Sequence, residues 1–232
     1  MDSILSVKNV RKSYGSKPAL NGLSFEIAPN QIVGLLGPNG SGKTTVIKLI
    51  NTLITDYTGE ILVCGKAPGI ESKRLVSYLP DRPFLRSDLK IGTVVDMYAD
   101  FYADFDRAKA RQMLDAFQLE PKTRIKSLSK GTKEKLQLVL VMSRVAKLYI
   151  FDEPIAGVDP AARDVILNTI IKNFTDGASM LISTHLISDV ENVLDRVLFI
   201  RDGKIVADDT ADNMREREGK SIDRIFREGF KC

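Results

Sequence analysis

The chain has few of the residues that build covalent or metal-centred scaffolds. Its 232 residues include two cysteines, Cys64 and Cys232, far apart in sequence, and a single histidine, His185. Two thiols cannot complete a metal quartet, and their scarcity fits a reducing cytoplasm better than a disulfide framework. No stretch reaches the roughly 18 to 20 apolar residues needed to cross a bilayer. The opening "MDSILSVKNVRKSYG" carries an acid at position 2, and its apolar run is too short for the core of a signal peptide. A membrane role is therefore expected to pass through a partner. An excess of one charge is also missing. Charged residues make up 28% with a balance of +4, both signs scattered, so no nucleic-acid partner is expected.

The length allows one compact module with a smaller part attached. Short strand patterns come first: "ILSVKNV", "LSFEI", "QIVGLL" and "GEILVCG", separated by Gly, Pro and Asn turns and interrupted by the helical spacing of "TTVIKLINTLI". From about Arg82 to Arg144 the patterns turn helical, in "TVVDMYADFY", "DRAKARQMLDAFQL" and "TKEKLQLVLVMSRVA". Strand and helix then alternate through "KLYIFDE", "AARDVILNTIIKNF", "SMLIST", "LISDVENVL", "RVLFIRDG" and "KIVADD". Apolar strands alternating with amphipathic helices predict a mostly parallel sheet covered on both faces. The tail from Thr210 to Cys232 is charged and reads as a short helix pair.

"GPNGSGKTT", Gly37 to Thr45, follows a buried-strand pattern and opens a helix. Glycines at 37, 40 and 42 let backbone N–H groups curl around an anion, and the helix dipole points the same way. Lys43 is placed to reach the β- and γ-phosphates of a nucleotide, and Thr44 to hold Mg²⁺. "LYIFDE" puts Asp152 and Glu153 at the end of another apolar strand, where open α/β sheets bind ligands. Two acids at a strand end are commonly a solvated turn. Beside a phosphate loop they read as a metal-binding acid, Asp152, and a general base, Glu153. His185 follows a third apolar strand, and its imidazole can donate to a developing phosphoryl charge.

With "LSKGT", "AGVD" and "STHL" joined to these motifs in order, the chain resembles the ATP-binding subunits of ABC transporters over roughly residues 4 to 207. The resemblance implies a RecA-like P-loop core with an antiparallel β-subdomain and an inserted α-helical subdomain. In this single module, 1–81 and 145–209 form the core, 82–144 the helical part and 210–232 a tail. It implies ATP and Mg²⁺ as cofactors, hydrolysis of ATP, a second such subunit, and an integral membrane permease that places the chain on the cytoplasmic face. Tyr14 matches the aromatic that stacks on adenine. Gly37, Pro38, Asn39, Gly40, Ser41, Gly42, Lys43, Thr44 and Thr45 match the phosphate loop. Ser129, Lys130, Gly131 and Asp159 match groups that reach ATP on the opposite subunit, the helix after them beginning near Thr132.

Two positions depart from that pattern. Lys130 and Thr132 stand where Gly and Gln are usual in the signature loop, and Lys130 either adds positive charge near the partner's phosphates or points into solvent. Asp81 stands where the family has a metal-contacting glutamine; it can approach Mg²⁺ through water but adds negative charge. The helical region resembles small exporter ATPases of the multidrug and ABC-2 type. The competing reading is a soluble relative acting on DNA or ribosomes. The short stretch between Asp81 and Ser129 leaves no room for long coiled-coil arms.

Overall fold

The computed structural model describes residues 3–156, 158, 160–175 and 177–229, with the side chains of 160–162 excluded. In chain order, β1 (Leu5–Tyr14) and β2 (Lys17–Ile27) form a hairpin, and β3 (Ile32–Leu36) leads into α1 (Lys43–Ile50). Next come β4 (Thr58–Val63), α2 (Ile70–Leu75) and β5 (Val76–Leu79). Three helices follow, α3 (Ile91–Phe101), α4 (Arg107–Ala116) and α5 (Lys130–Met142). The chain then runs through β6 (Leu148–Asp152), α6 (Pro160–Lys172), β7 (Ser179–Thr184), α7 (Ile187–Val190), β8 (Arg196–Arg201) and β9 (Lys204–Thr210). It closes with α8 (Ala211–Glu218) and α9 (Ile222–Gly229), the pair expected in the tail.

The strands form two sheets. One is antiparallel, ordered β2-β1-β4. The other is ordered β5-β6-β7-β3-β8-β9, parallel except for the β8–β9 hairpin. Its central strands are buried on both faces, as their unbroken apolar runs require. Leu148 and Ile150 of β6 face a core shared with β1, β2 and α1, whereas Tyr149 and Phe151 face a core shared with α5, α6 and the tail. This alternation is the two-residue period of a strand applied to a sheet that separates two cores.

Local chemistry sets the helix starts. The Asp106 carboxylate accepts from the Lys109 N–H at 2.9 Å and caps α4. Ser129 does the same for α5, accepting from the Thr132 N–H at 3.2 Å. That cap starts α5 at Lys130 instead of near Thr132, so Lys130 and Gly131 belong to its first turn.

Two readings are corrected, and one segment carries elements that no sequence pattern announced. "LISDVENVL" holds one α-turn, α7, followed by a 3-10 turn at Glu191–Val193. The reason is Asp195: its carboxylate accepts from the Ile32 N–H at 2.7 Å and its own N–H donates to the Ile32 carbonyl at 2.9 Å, pulling the chain back to the sheet. β2 extends well before "LSFEI" because its first half pairs with the end of β1. The segment "IESKRLVSYL" contains α2 and the edge strand β5, which no turn signal separates.

Candidate active site

The site lies where three neighbouring parallel strands end. β6, β7 and β3 are adjacent, with Asp152 opposite Ser183 and Leu36 opposite Thr184 in register. The loops leaving these ends carry Gly37–Thr45, Asp152 with Glu153, and His185 to one edge. Ala19, Asn39, Gly40, Gly42, Lys43, Thr44, Thr45, Asp81 and Glu153 line a cavity of about 230 Å³ there.

The phosphate loop is shaped by close approach. A Cβ at Gly37 would meet the Ile200 carbonyl at 2.4 Å. Gly42 has φ +112° with the Ala19 carbonyl 2.8 Å from where a Cβ would sit. Gly42 is the N-cap of α1 and no side chain caps that helix, so its first N–H groups are available to an anion. The Lys43 ammonium, buried at the helix start, donates to the Gly37 carbonyl at 2.7 Å and the Pro38 carbonyl at 3.2 Å, and lies 3.7 Å from Glu153 Oε1. Burial lowers its pKa, an effect opposed by the charges of Glu153 and Asp152.

Asp152 is fully buried. Its Oδ1 accepts from the Ser183 hydroxyl at 2.5 Å and from the Thr44 hydroxyl at 3.3 Å, while Oδ2 has no hydrogen-bond partner among the described residues. Burial raises the pKa of this carboxyl; the Ser183 and Thr44 hydrogen bonds oppose that, and the nearby charges of Asp81 and Glu153 add to it. A buried carboxylate oxygen without a partner, beside a threonine hydroxyl, suits an oxygen-seeking cation such as Mg²⁺.

Glu153 has φ +53°, a left-handed conformation that costs a non-glycine residue on the order of 1–2 kcal/mol. Its N–H donates to the Ser183 carbonyl at 2.9 Å, fixing the turn. The side chain sits between a cation and an imidazole: Lys43 Nζ on one oxygen and His185 Nδ1 at 2.9 Å from the other.

The structure thus gathers Gly37–Thr45, Asp81, Asp152, Glu153 and His185. Tyr14, at the end of β1, is half exposed with Lys12 Nζ 4.7 Å from its ring centre, and it does not line the phosphate cavity. Ser129, Lys130 and Gly131 start α5, and Lys130 lies 3.9 Å from Glu134. Lys130 lines a second cavity together with Asp81 and Glu153 of its own chain. Asp159 lies outside the described residues. Sequence reading missed Ser183, which holds Asp152; a hydroxyl just before a strand-end Thr-His was its only signal.

Fold and site together define a P-loop nucleotide hydrolase with a helical insertion. Residues 20–156 match the ABC transporter family. The ABC-type transporter ATP-binding protein EcsA of Bacillus subtilis is 32% identical over 94% of this chain and 91% of its own length. The SkfA peptide export ATP-binding protein SkfE of the same organism is 34% identical, with 88% of each chain covered. The daunorubicin resistance ATP-binding protein DrrA3 of Streptomyces coeruleorubidus is 28% identical over 98% of this chain and 75% of its own. A solved ATP-binding subunit of an ABC transporter superposes with a TM-score of 0.88, at 29% identity over 99% of this chain and all of that one. The chain belongs to the ABC transporter ATP-binding family, whose members bind ATP and hydrolyse it to drive transport with membrane permease partners. Among the described residues no helix is long and apolar enough to cross a membrane.

Proposed function

We propose that this chain hydrolyses Mg²⁺-bound ATP at the strand-end site and, closed against a second ATP-binding subunit, drives an exporting permease from the cytoplasmic face of the membrane. The observation that carries the reading is the linked set at the ends of adjacent strands: Glu153, which lines the phosphate cavity with Lys43, lies between that lysine and His185, and Asp152 beside it accepts from Thr44. Thr44 and Asp152 would hold the metal, and Asp81, which lines the same cavity as Thr44, would reach it through water; bound there, Mg²⁺ would supply positive charge that offsets the charge of the phosphates.

Lys43 turns from the loop carbonyls to the β- and γ-phosphates, and the N–H groups at the start of α1 hold the same oxygens. Water attacks the γ-phosphorus in line, its oxygen bonding to phosphorus as the bond to the ADP oxygen breaks. Glu153 takes the water's proton and donates it in a hydrogen bond to His185 Nδ1, which leaves the ring's Nε2–H to donate toward the γ-phosphoryl oxygens. Tyr14 stacks on the adenine. Ser129, Lys130, Gly131 and Asp159 of one subunit serve the ATP held by the other.

An apolar groove of about 510 Å³ beside the helical region fits the permease. Its lining includes Ile70, Phe84, Met97 and Phe101 together with the cation of Lys73, so the occupant is an apolar segment that carries an acid. Phe84 follows Asp81 by three positions, joining groove and nucleotide site through one loop. Export is the activity for which relatives such as SkfE are named. A phosphate-release assay tests the chemistry. Turnover is expected to need Mg²⁺ and to be lost in Glu153→Gln; Mg²⁺-independent or undiminished turnover contradicts the assignment.

A further inference from the structure

α5 changes character along its length: its first turns are partly exposed, and from Leu136 to Met142 every residue is buried. Within that run the one polar side chain is Gln137, 4% exposed. Its Oε1 is sealed from solvent and has no hydrogen-bond partner among the described residues. A buried polar atom left in this way bears its full desolvation penalty, which a leucine or methionine of similar volume would not. The position therefore holds a group that packing alone disfavours.

Gln137 lines a cavity of about 200 Å³ whose other polar walls are Asp81, Lys130, Glu134 and Glu153. Asp81 and Glu153 also line the phosphate cavity, so these two acids form a partition with nucleotide on one side and this chamber on the other. Apolar cavities stay dry, but a chamber with several convergent charged and amide groups is large and polar enough to hold ordered water. With its oxygen sealed, the Gln137 carboxamide meets the chamber through its amide N–H groups, which donate to water, and it adds no charge where three acids already face one lysine.

We propose that this chamber is a hydration site behind Glu153 and that Gln137 is a positioning residue. Its carboxamide orders water that hydrogen-bonds the Glu153 carboxylate from the side away from the nucleotide. Glu153 is then held from two directions, by His185 on the nucleotide side and by chamber water behind, which keeps its strained turn and its carboxylate in one orientation. The pairing also fits the departure at Asp81: where the family has an amide, this chain has a carboxylate, and an amide stands across the chamber from it.

The proposal rests on reading Glu153 as the base, and the test separates the two. Phosphate release and thermal melting are measured for the full chain with Mg–ATP, for Gln137→Met and for Glu153→Gln. Gln137→Met is expected to lower kcat about tenfold, the effect of misorienting one catalytic group. KM for ATP should stay within about twofold, the mark of an interaction used in turnover but not in binding. Its melting temperature should equal or exceed the parent's. A kcat within twofold of the parent, or a loss carried by KM, overturns the role of Gln137. If Glu153→Gln is inactive while Gln137→Met is fully active, only the chamber proposal fails; if Glu153→Gln turns over normally, the base assignment fails and takes the proposal with it. Independently of any variant, a high-resolution crystal structure should show water within hydrogen-bond distance of both Gln137 and Glu153, and a chamber without such water contradicts the proposal.

Discussion

The carboxylate of Glu153 meets the imidazole Nδ1 of His185 at 2.9 Å, joining the ends of two adjacent parallel strands. The histidine ring remains partly open to solvent while Glu153 is nearly enclosed, so one face of the pair can meet substrate. Replacing His185 by alanine removes both the hold on Glu153 and a donor to the developing phosphoryl charge. A fall in kcat of about 100-fold is expected, typical of losing one electrostatic stabiliser, with ATP affinity changed little. Phosphate release and equilibrium nucleotide binding measure the two; parental turnover in His185→Ala would remove the residue from the chemistry.

Asp152 costs the nucleotide-free protein stability. Its folded pKa is raised, chiefly by burial, so the native state binds the proton more readily than the unfolded chain does. Such a group destabilises the fold as pH rises through its unfolded value, and the full cost is present above the folded value. Asn at this position keeps the acceptor for Ser183 and Thr44 and removes the charge. Without nucleotide or Mg²⁺, Asp152→Asn should melt about 3 °C higher near neutral pH, the shift that ~1 kcal/mol produces in a chain of this size. The advantage should shrink on acidification. Melting curves from pH 4 to 7.5 decide the point, and a parent that melts above the variant at neutral pH contradicts it.

Much of this site could be read from the sequence because each part sits in a local pattern: a glycine loop before a helix, acids after "LYIF", a histidine after "LIST". The strand order that makes β6, β7 and β3 neighbours has no such pattern, since parallel pairing joins residues far apart in the chain. Ser183 and Gln137 were illegible for the same reason. Each reads locally as a polar residue in an apolar run, and only the tertiary contact of Ser183 with Asp152, or the cavity beside Gln137, gives it a role. Helical periodicity alone places the start of α5 near Thr132 and lengthens α7; the Ser129 cap that starts α5 at Lys130 and the long-range Asp195–Ile32 contacts that cut α7 short leave no such pattern.

Asp81 faces both cavities, and its charge helps raise the pKa of Asp152. Asp81→Gln relieves that repulsion and should retain ATP binding within about threefold, because the phosphate loop supplies most of the contacts. The response of turnover to the reconstituted permease should change, since the same loop reaches Phe84 in the groove. Lost nucleotide affinity would count against this placement.

Phe101 is 77% exposed on the groove wall. Phe101→Asp puts a charge where an apolar segment is to dock, and should weaken co-purification with the permease at least tenfold, the equivalent of about 1.4 kcal/mol. Basal phosphate release from the isolated subunit should stay within twofold of the parent. An unchanged yield of complex would place the permease elsewhere.

In the proposed mechanism the strand-end site is completed by a second subunit and discharged by Glu153. Light scattering of the purified Glu153→Gln chain with and without Mg–ATP tests both parts at once. The mass of one chain is expected without nucleotide and that of two chains with Mg–ATP, held for lack of hydrolysis and lost when Ser129→Arg is added. A chain that binds ATP yet stays at the mass of one, or that still hydrolyses it, rules this mechanism out.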